Sequence, residues 1–428
     1  MSTNLAEATP QSAPPPPFGA RTRNNVIERV VLMALLGLVI ASLSRLISGH
    51  NELTSAIAMG GAINAAMPIM LAGLGGLWSE RAGVVNIGLE GQMILGTWFA
   101  ADFAWKTGSP WMLIVGGLAG GLIGGILHAL MTVGFGVDQI ISGVAINLLA
   151  PGVAKYLSGI VFNGTEGLAA GGGQTQSPKV NVLKTLDWHG ADDWLGKISG
   201  HHWFLISDIA GLLDGIVSSL NWLTIIALLL IPATWFVLWR TTFGLRVRSV
   251  GESPTSAETL GVKVYTMKTV AVLVSGMLAG LGGAFLVQYT GVYHEGQTGG
   301  RGYIGLAAMI FGNWRPGGLL AGASLFGYTD ALQQQQTTQT VHALLLVVAI
   351  VLILTAGWLF YRNSRMQAVV ALVLGGLVWL WYGATNEIPP QFATYSPQIL
   401  TLLVLAVASQ RLRPPAADGL PWRRGQGA

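Results

Sequence analysis

From about residue 30 onward the chain alternates long apolar stretches with short polar, glycine- or proline-containing breaks. The stretches lie near 30–48, 54–77, 83–103, 111–133, 137–161, 221–239, 268–290, 302–313, 317–331, 341–360, 366–383 and 396–410. Most approach the length of about 20 residues that an α-helix needs to cross a bilayer. The pair 302–313 and 317–331 is shorter and hinges at Asn313-Trp314-Arg315-Pro316-Gly317-Gly318. It reads as two tilted spans or as one re-entrant helical hairpin. The pattern predicts an all-α, polytopic membrane protein with about 10–12 transmembrane helices, some discontinuous or re-entrant.

Composition agrees with this reading. Of 428 residues, 52% are hydrophobic and only 10% charged, too few charges to clothe soluble domains. Residues 1–25 are polar, carry the run Pro14–Pro17 and read as a disordered cytoplasmic tail. Residues 26–411 form the transmembrane domain, with an extracytoplasmic loop at 162–220 and a cytoplasmic loop at 240–266, and 412–428 form a second cytoplasmic tail. Placing the N-terminus inside and alternating sides puts 16 of the 23 Lys and Arg on that side. The net charge of +4 is therefore a signal of orientation, with both termini cytoplasmic, rather than of nucleic-acid binding. With no cysteine, disulfides, thiolate nucleophiles and Cys-ligated metals are excluded.

Catalytic signatures are missing from the sequence. There is no G-x-x-x-x-G-K-[ST] to cradle ATP phosphates and no H-E-x-x-H for zinc. Gly300-Arg301-Gly302-Tyr303-Ile304-Gly305 matches a dinucleotide fingerprint in form but follows no strand. The pair His201-His202 reads as a solvated loop pair. Polar groups inside the spans carry more information, because a membrane-embedded charge normally faces a cavity or a partner. Glu90, in Asn86-Ile87-Gly88-Leu89-Glu90-Gly91-Gln92, lines a path where a glycine-interrupted helix breaks, or else pairs with Arg81. Asp138 and Gln139 are path residues or helix caps, and Asn147 makes interhelical bonds or touches solute. Gly116-Gly117, Gly120-Gly121, Gly124-Gly125 and Gly276, Gly280, Gly283 have the small-xxx-small spacing of close helix packing.

The most specific feature is the loop from Thr241 to Val262. Ser253 reads as an N-cap with Pro254 at the first helical position, and Gly261 ends the helix. A short amphipathic helix between two spans is suited to docking on another protein.

These strings resemble ABC-importer permease subunits of the branched-chain amino-acid and ribose permease superfamily, nearest its nucleoside and simple-sugar branch. The resemblance rests on Ser79 through Gln92, Ile140 through Leu149, the Gly244–Gly261 loop, Ile310 through Gly318, and the tail Pro415–Gly425. It implies a non-enzymatic subunit of the bacterial inner membrane that translocates nucleosides or simple sugars. Gly244, Arg246, Arg248, Glu252, Pro254, Ala257, Glu258 and Gly261 would form the ATPase-coupling loop. Asn86, Glu90, Gln92, Asp138, Asn147, Asn313 and Trp314 would line or brace the translocation path. The implied partners are an ATP-binding cassette ATPase, a second permease subunit in a homo- or heterodimer, an extracytoplasmic solute-binding lipoprotein and membrane lipid, with no nucleic acid. This chain would bind no cofactor or metal, ATP and Mg belonging to the ATPase. The alternative is an ion-driven secondary transporter using Glu90, Asp138 or Asp330 as ion ligands.

Overall fold

In the computed structural model of the chain, the described residues are 36–49, 51–162, 176–186, 191–334, 338–386, 388–389, 412–423 and 425. The tail 1–25 and the stretch 396–410 lie outside them. The helices are α1 (Leu36–Ser48), α2 (Ala56–Arg81), α3 (Leu89–Thr107), α4 (Met112–Ala129, continued by a π turn to Gly134) and α5 (Gln139–Val161). Next come α6 (Ala191–Gly200), α7 (Ile206–Ser218), α8 (Trp222–Arg240), α9 (Thr242–Glu252) and α10 (Pro254–Thr259). The last are α11 (Val264–Thr290), α12 (Arg301–Phe311), α13 (Pro316–Gln334), α14 (Thr338–Tyr361) and α15 (Arg365–Ala384). Among the described residues, seven helices are long and apolar enough to cross a membrane: α2, α4, α5, α8, α11, α14 and α15. Polar and glycine residues set the boundaries. Ser55 and Asn221 cap α2 and α8 by accepting from the N–H of Ala58 at 3.1 Å and of Thr224 at 2.9 Å. Gly108 and Gly291, both at positive φ, close α3 and α11.

The core is a quartet of α2, α3, α4 and α11. Its helices pack through buried side chains such as Leu71, Leu74, Trp98, Leu281 and Phe285, and along one seam they touch backbone to backbone. A methyl group added at Gly280 would lie 2.2 Å from the Gly117 carbonyl oxygen and 2.6 Å from the Gly121 Cα. One added at Gly96 would lie 2.3 Å from the Gly280 oxygen. Glycines at four-residue spacing thus let three helices meet along one line, as their spacing predicts. Around this core, α5 and α8 are held by indole bonds, Trp98 Nε1 donating to Ser158 Oγ at 2.9 Å and Trp78 Nε1 to Thr234 Oγ1 at 3.2 Å. Helices α14 and α15 form an outer pair, packed mainly on each other.

Two faces can be told apart by what packs on the two ends of α2. At its start sit α1 and α7, with Gly211 against Thr54, Gly215 against Gly60, and Arg45 paired with Asp208 at 3.0 Å. At its end sit α9 and α10, with Gly251 against the Arg81 carbonyl. We call these the α7 face and the α9 face.

Helix α12 has 11 residues, which at 1.5 Å per residue span roughly 16 Å, half of a hydrocarbon core. It runs parallel to the second half of α2, Gly305 lying against Ile69 and Gly73, and Trp314 meeting Arg81 at the end. The chain turns at Gly312–Arg315, with Asn313 and Trp314 at positive φ, and α13 returns along α2 as far as Gly61. The apolar pair 302–313 and 317–331 is therefore a half-length helix followed by a longer return helix.

Candidate functional site

Helix α3 also starts inside the bundle. Leu89 lies beside Gly75 and Gly76, so α3 begins roughly 8 Å short of the end of α2. Residues 82–88 descend to that level, and backbone groups there bond to the end of α2 and to side chains, as a non-helical segment at membrane depth requires. Gln139 Oε1 accepts from Val85 N at 2.6 Å, and His128 Nε2 lies 3.0 Å from Val85 O. Asn147 grips two groups at once, donating to Ile87 O at 2.9 Å and accepting from Gly91 N at 2.8 Å.

The two internal helix starts meet. Glu90, in the first turn of α3, accepts from Gly300 N at 2.9 Å and Gly302 N at 2.7 Å, the first amides of α12. Its carboxylate thus sits between the positive ends of two helices that run away from it in opposite directions. Arg81 is engaged elsewhere, donating to Trp314 O through Nε at 3.1 Å and Nη2 at 2.6 Å. The Glu90–Arg81 pairing offered as an alternative from the sequence is thus replaced by a backbone cap. Asn86 is fully buried and donates to Gln92 Oε1 at 3.0 Å and Ser275 Oγ at 2.8 Å, tying α11 to the break. Asp138 is exposed and caps α5, accepting from Ile140 N and Ile141 N. Asn313 and Trp314 belong to the turn at the α9 face, where Trp314 Nε1 donates to Glu80 Oε2 at 2.5 Å. So Asn86, Glu90, Gln92 and Asn147 come together around one discontinuity, while Asp138, Asn313 and Trp314 lie apart from it. The acids named for ion-driven transport are all engaged: Glu90 and Asp138 as caps, and Asp330 with Arg301 at 2.6 Å.

On the α9 face, Thr241 Oγ1 caps α9 and Ser253 Oγ caps α10, with Pro254 at the first position and Gly261 at φ +80° after it. Gly244 sits where a methyl would lie 2.1 Å from Val237 O, so α9 folds tightly back on α8. Arg248 Nε donates to Leu238 O at 2.8 Å, and Ala257 is buried with Val250 and Val264. Arg246, Glu252 and Leu260 face outward, Leu260 84% exposed. Glu258 is half-buried on the same short helix.

The tail adds a feature that its sequence does not announce. Residues 412–423 lie as a strap across this face. Arg413 N donates to Asn313 Oδ1 at 2.8 Å, Ala416 N to Glu252 Oε2 at 3.2 Å and Ala417 N to Gly251 O at 2.9 Å. Trp422 packs at a tilt against Tyr265, ring centroids 5.0 Å apart. Burial pushes the Asp418 carboxyl up to about 6, against the opposing pull of Glu80, Lys268 and Arg81 around it.

Two adjoining cavities open near the start of α2, of about 680 and 340 Å³, with Asn64 and Tyr289 in the walls of both. Of their polar lining residues only Asp330 was singled out in the sequence, as a candidate ion ligand. Asn64 and Gln297 carry no motif, and Arg301 was visible only inside a glycine string.

The comparisons with known proteins place this architecture. The sequence model of the family described as "Branched-chain amino acid transport system / permease component" matches residues 58–357. The chain is 32% identical to the guanosine ABC transporter permease protein NupQ of Bacillus subtilis (strain 168), over 84% of this chain and 94% of that protein. It is 30% identical to the nucleoside ABC transporter permease protein NupC of Lactococcus lactis subsp. cremoris (strain MG1363), over 83% of this chain and 93% of the other. It is 34% identical to the putative glucose ABC transporter permease protein TsgC13 of Haloferax volcanii, over 63% and 75%. No solved structure matches. With both broken spans, the hairpin and the α9–α10 loop inside the matched region, the chain belongs to the ABC-transporter permease family of branched-chain amino acid transport system permease components.

Proposed function

We propose that this permease carries nucleosides or simple sugars inward across the bacterial inner membrane, with both termini cytoplasmic. The observation that carries the reading is the match, nearly end to end, to two permeases named for nucleosides. The coupling partner is an ATP-binding cassette ATPase, which holds ATP and Mg and docks on α9 and α10. A second permease subunit and an extracytoplasmic solute-binding lipoprotein complete the importer in the lipid bilayer. The exposed apolar faces of α5, α8, α14 and α15 support a surface covered by lipid or by that second subunit.

Mechanistically the chain changes no bond. ATP-driven closure of the ATPase pair pushes on α10, and α9, wedged against α8 through Gly244, passes the movement to the spans. Solute then follows a path whose acids are all capped or paired, which suits a neutral solute.

The test is ATP-dependent uptake of tritiated guanosine, ribose and glucose by cells carrying the intact transporter or lacking this chain. Loss of guanosine uptake on deletion supports the proposal, and unaltered uptake of all three solutes sinks it. Leu260→Asp tests the docking face. With so exposed a side chain, melting stays unchanged, while co-purification of the ATPase falls about tenfold. Full co-purification would remove α10 from the interface.

A further inference from the structure

The smaller cavity, about 340 Å³, lies between the first half of α2, the end of α11, the segment 291–300 and the start of α12. Its size falls within the range of about 300–1,000 Å³ typical of small-molecule sites. It opens toward the α7 face, immediately beyond the point where Glu90 caps α12. Ala65 and Leu286 give it apolar wall, and Tyr289 adds an aromatic ring that is 56% exposed.

Its polar groups fall into two sets. Gln297 is committed to structure, donating to Thr290 Oγ1 at 2.7 Å and to Val292 O at 3.2 Å. Arg301 donates to Asp330 at 2.6 Å and to the carbonyls of Gln297 and Thr298, but its Nε is buried with no partner among the described residues. Asn64 is half-buried on a membrane-spanning helix, and among the described residues nothing bonds its carboxamide. A bundle that satisfies Asn86, Asn147 and Gln139 so thoroughly leaves the Asn64 carboxamide open at this cavity, with the Arg301 guanidinium in the same wall. The charge is balanced as well. Arg301 and Asp330 cancel, and burial lowers the His294 imidazole below its usual range, so it adds no positive charge at neutral pH.

We propose that this cavity is the solute's entry site and that it selects a nucleoside: the base stacks on Tyr289, while the ribose hydroxyls bond Asn64 and Arg301. The assignment rests on the importer reading above and narrows it from nucleosides or sugars to nucleosides. A free sugar would use the polar side of the cavity alone and leave the ring of Tyr289 without its partner. Base stacking on an aromatic side chain is a large, sequence-tolerant contribution, so the ring is the main selector.

The experiment uses the intact permease and ATPase assembly in nanodiscs, without the lipoprotein, and equilibrium binding of tritiated guanosine and tritiated ribose. Uptake by wild-type cells is measured in parallel. Tyr289→Ala weakens guanosine binding about tenfold and leaves ribose binding unaltered, while Tyr289→Phe, which keeps the ring, stays near wild type. Asn64→Leu weakens guanosine about tenfold but not 2′,3′-dideoxyguanosine, which lacks the hydroxyls. Guanosine affinity unmoved by both Tyr289→Ala and Asn64→Leu, with wild-type uptake intact, overturns the site and leaves the importer reading standing. Absence of guanosine uptake and binding in wild type overturns both.

Discussion

Two parts of the molecule share a composition and differ in almost everything else. The α2–α3–α4–α11 quartet and the α14–α15 pair are both apolar helices punctuated by glycine. In α11, 78% of the most apolar stretch is buried, and in α15 only 17%. The glycines of the quartet lie against carbonyl oxygens of neighbouring helices, whereas Gly376 and Gly383 of α15 have nothing within 4 Å of a would-be Cβ. Glycine content is therefore no measure of packing. What matters is whether another backbone occupies the place of the missing side chain. In a bilayer, where apolar burial between helices drives little, that close approach adds to the buried side-chain cluster of the quartet what burial alone does not supply.

The contrast is broken most severely by giving each region the same side chain. Gly280→Leu places four carbons where the backbone of α4 already lies, and no monodisperse folded protein is expected on size-exclusion chromatography. Gly376→Leu, facing open space, leaves the melting midpoint unchanged, a shift equivalent to less than about 0.5 kcal/mol. Next comes the internal cap. Glu90→Ala strips two buried amides of their acceptor at about 1–3 kcal/mol each, so the melting temperature drops clearly, and Glu90→Gln, which keeps one carbonyl acceptor, loses less. At the edge of the core, Ser158→Ala leaves the Trp98 indole N–H without its acceptor. The expected cost is about 1 kcal/mol, read by Trp fluorescence on heating.

The last effect is electrostatic and local to the strap. The Asp418 value rises in the folded protein from 3.8 to about 6 through burial, so the folded state holds the proton more tightly than the unfolded chain. Its contribution is therefore fully present below about pH 4 and fades as the pH climbs through 6. Glu80, Arg81 and Lys268 face the same carboxyl and set the residual charge. Limited proteolysis of the tail should accelerate between pH 5 and about pH 7, and Asp418→Asn should flatten that profile. A profile equally steep in the variant assigns the pH dependence to another group.

The spans were legible because membrane helices are local: length, apolarity and flanking caps write each one into its own segment. Residues 54–77 and 268–290 needed only small extensions, to Ala56–Arg81 and Val264–Thr290. Ser253, Pro254 and Gly261 were legible for the same reason, as a cap, a first turn and a stop. The seam was legible through its spacing. The role of Glu90 was not, because its partners, the amides of Gly300 and Gly302, lie 210 and 212 residues away and have no side chain to mark them. Asp138 looked alike as cap or path until its neighbours were placed, and among the ordinary polar side chains of the cavity Asn64 is notable only for its open carboxamide. Long-range backbone recognition leaves little trace in one sequence.

The strap makes the α9 face a composite surface. Residues 412–423 bond Asn313, Gly251 and Glu252 and cover Gly83, so one short segment ties the turn after α12, the end of α9 and the end of α2 together. A protein that docks on α9 and α10 therefore meets a surface assembled from stretches far apart in the chain, and a change in the strap reaches that surface without touching either helix.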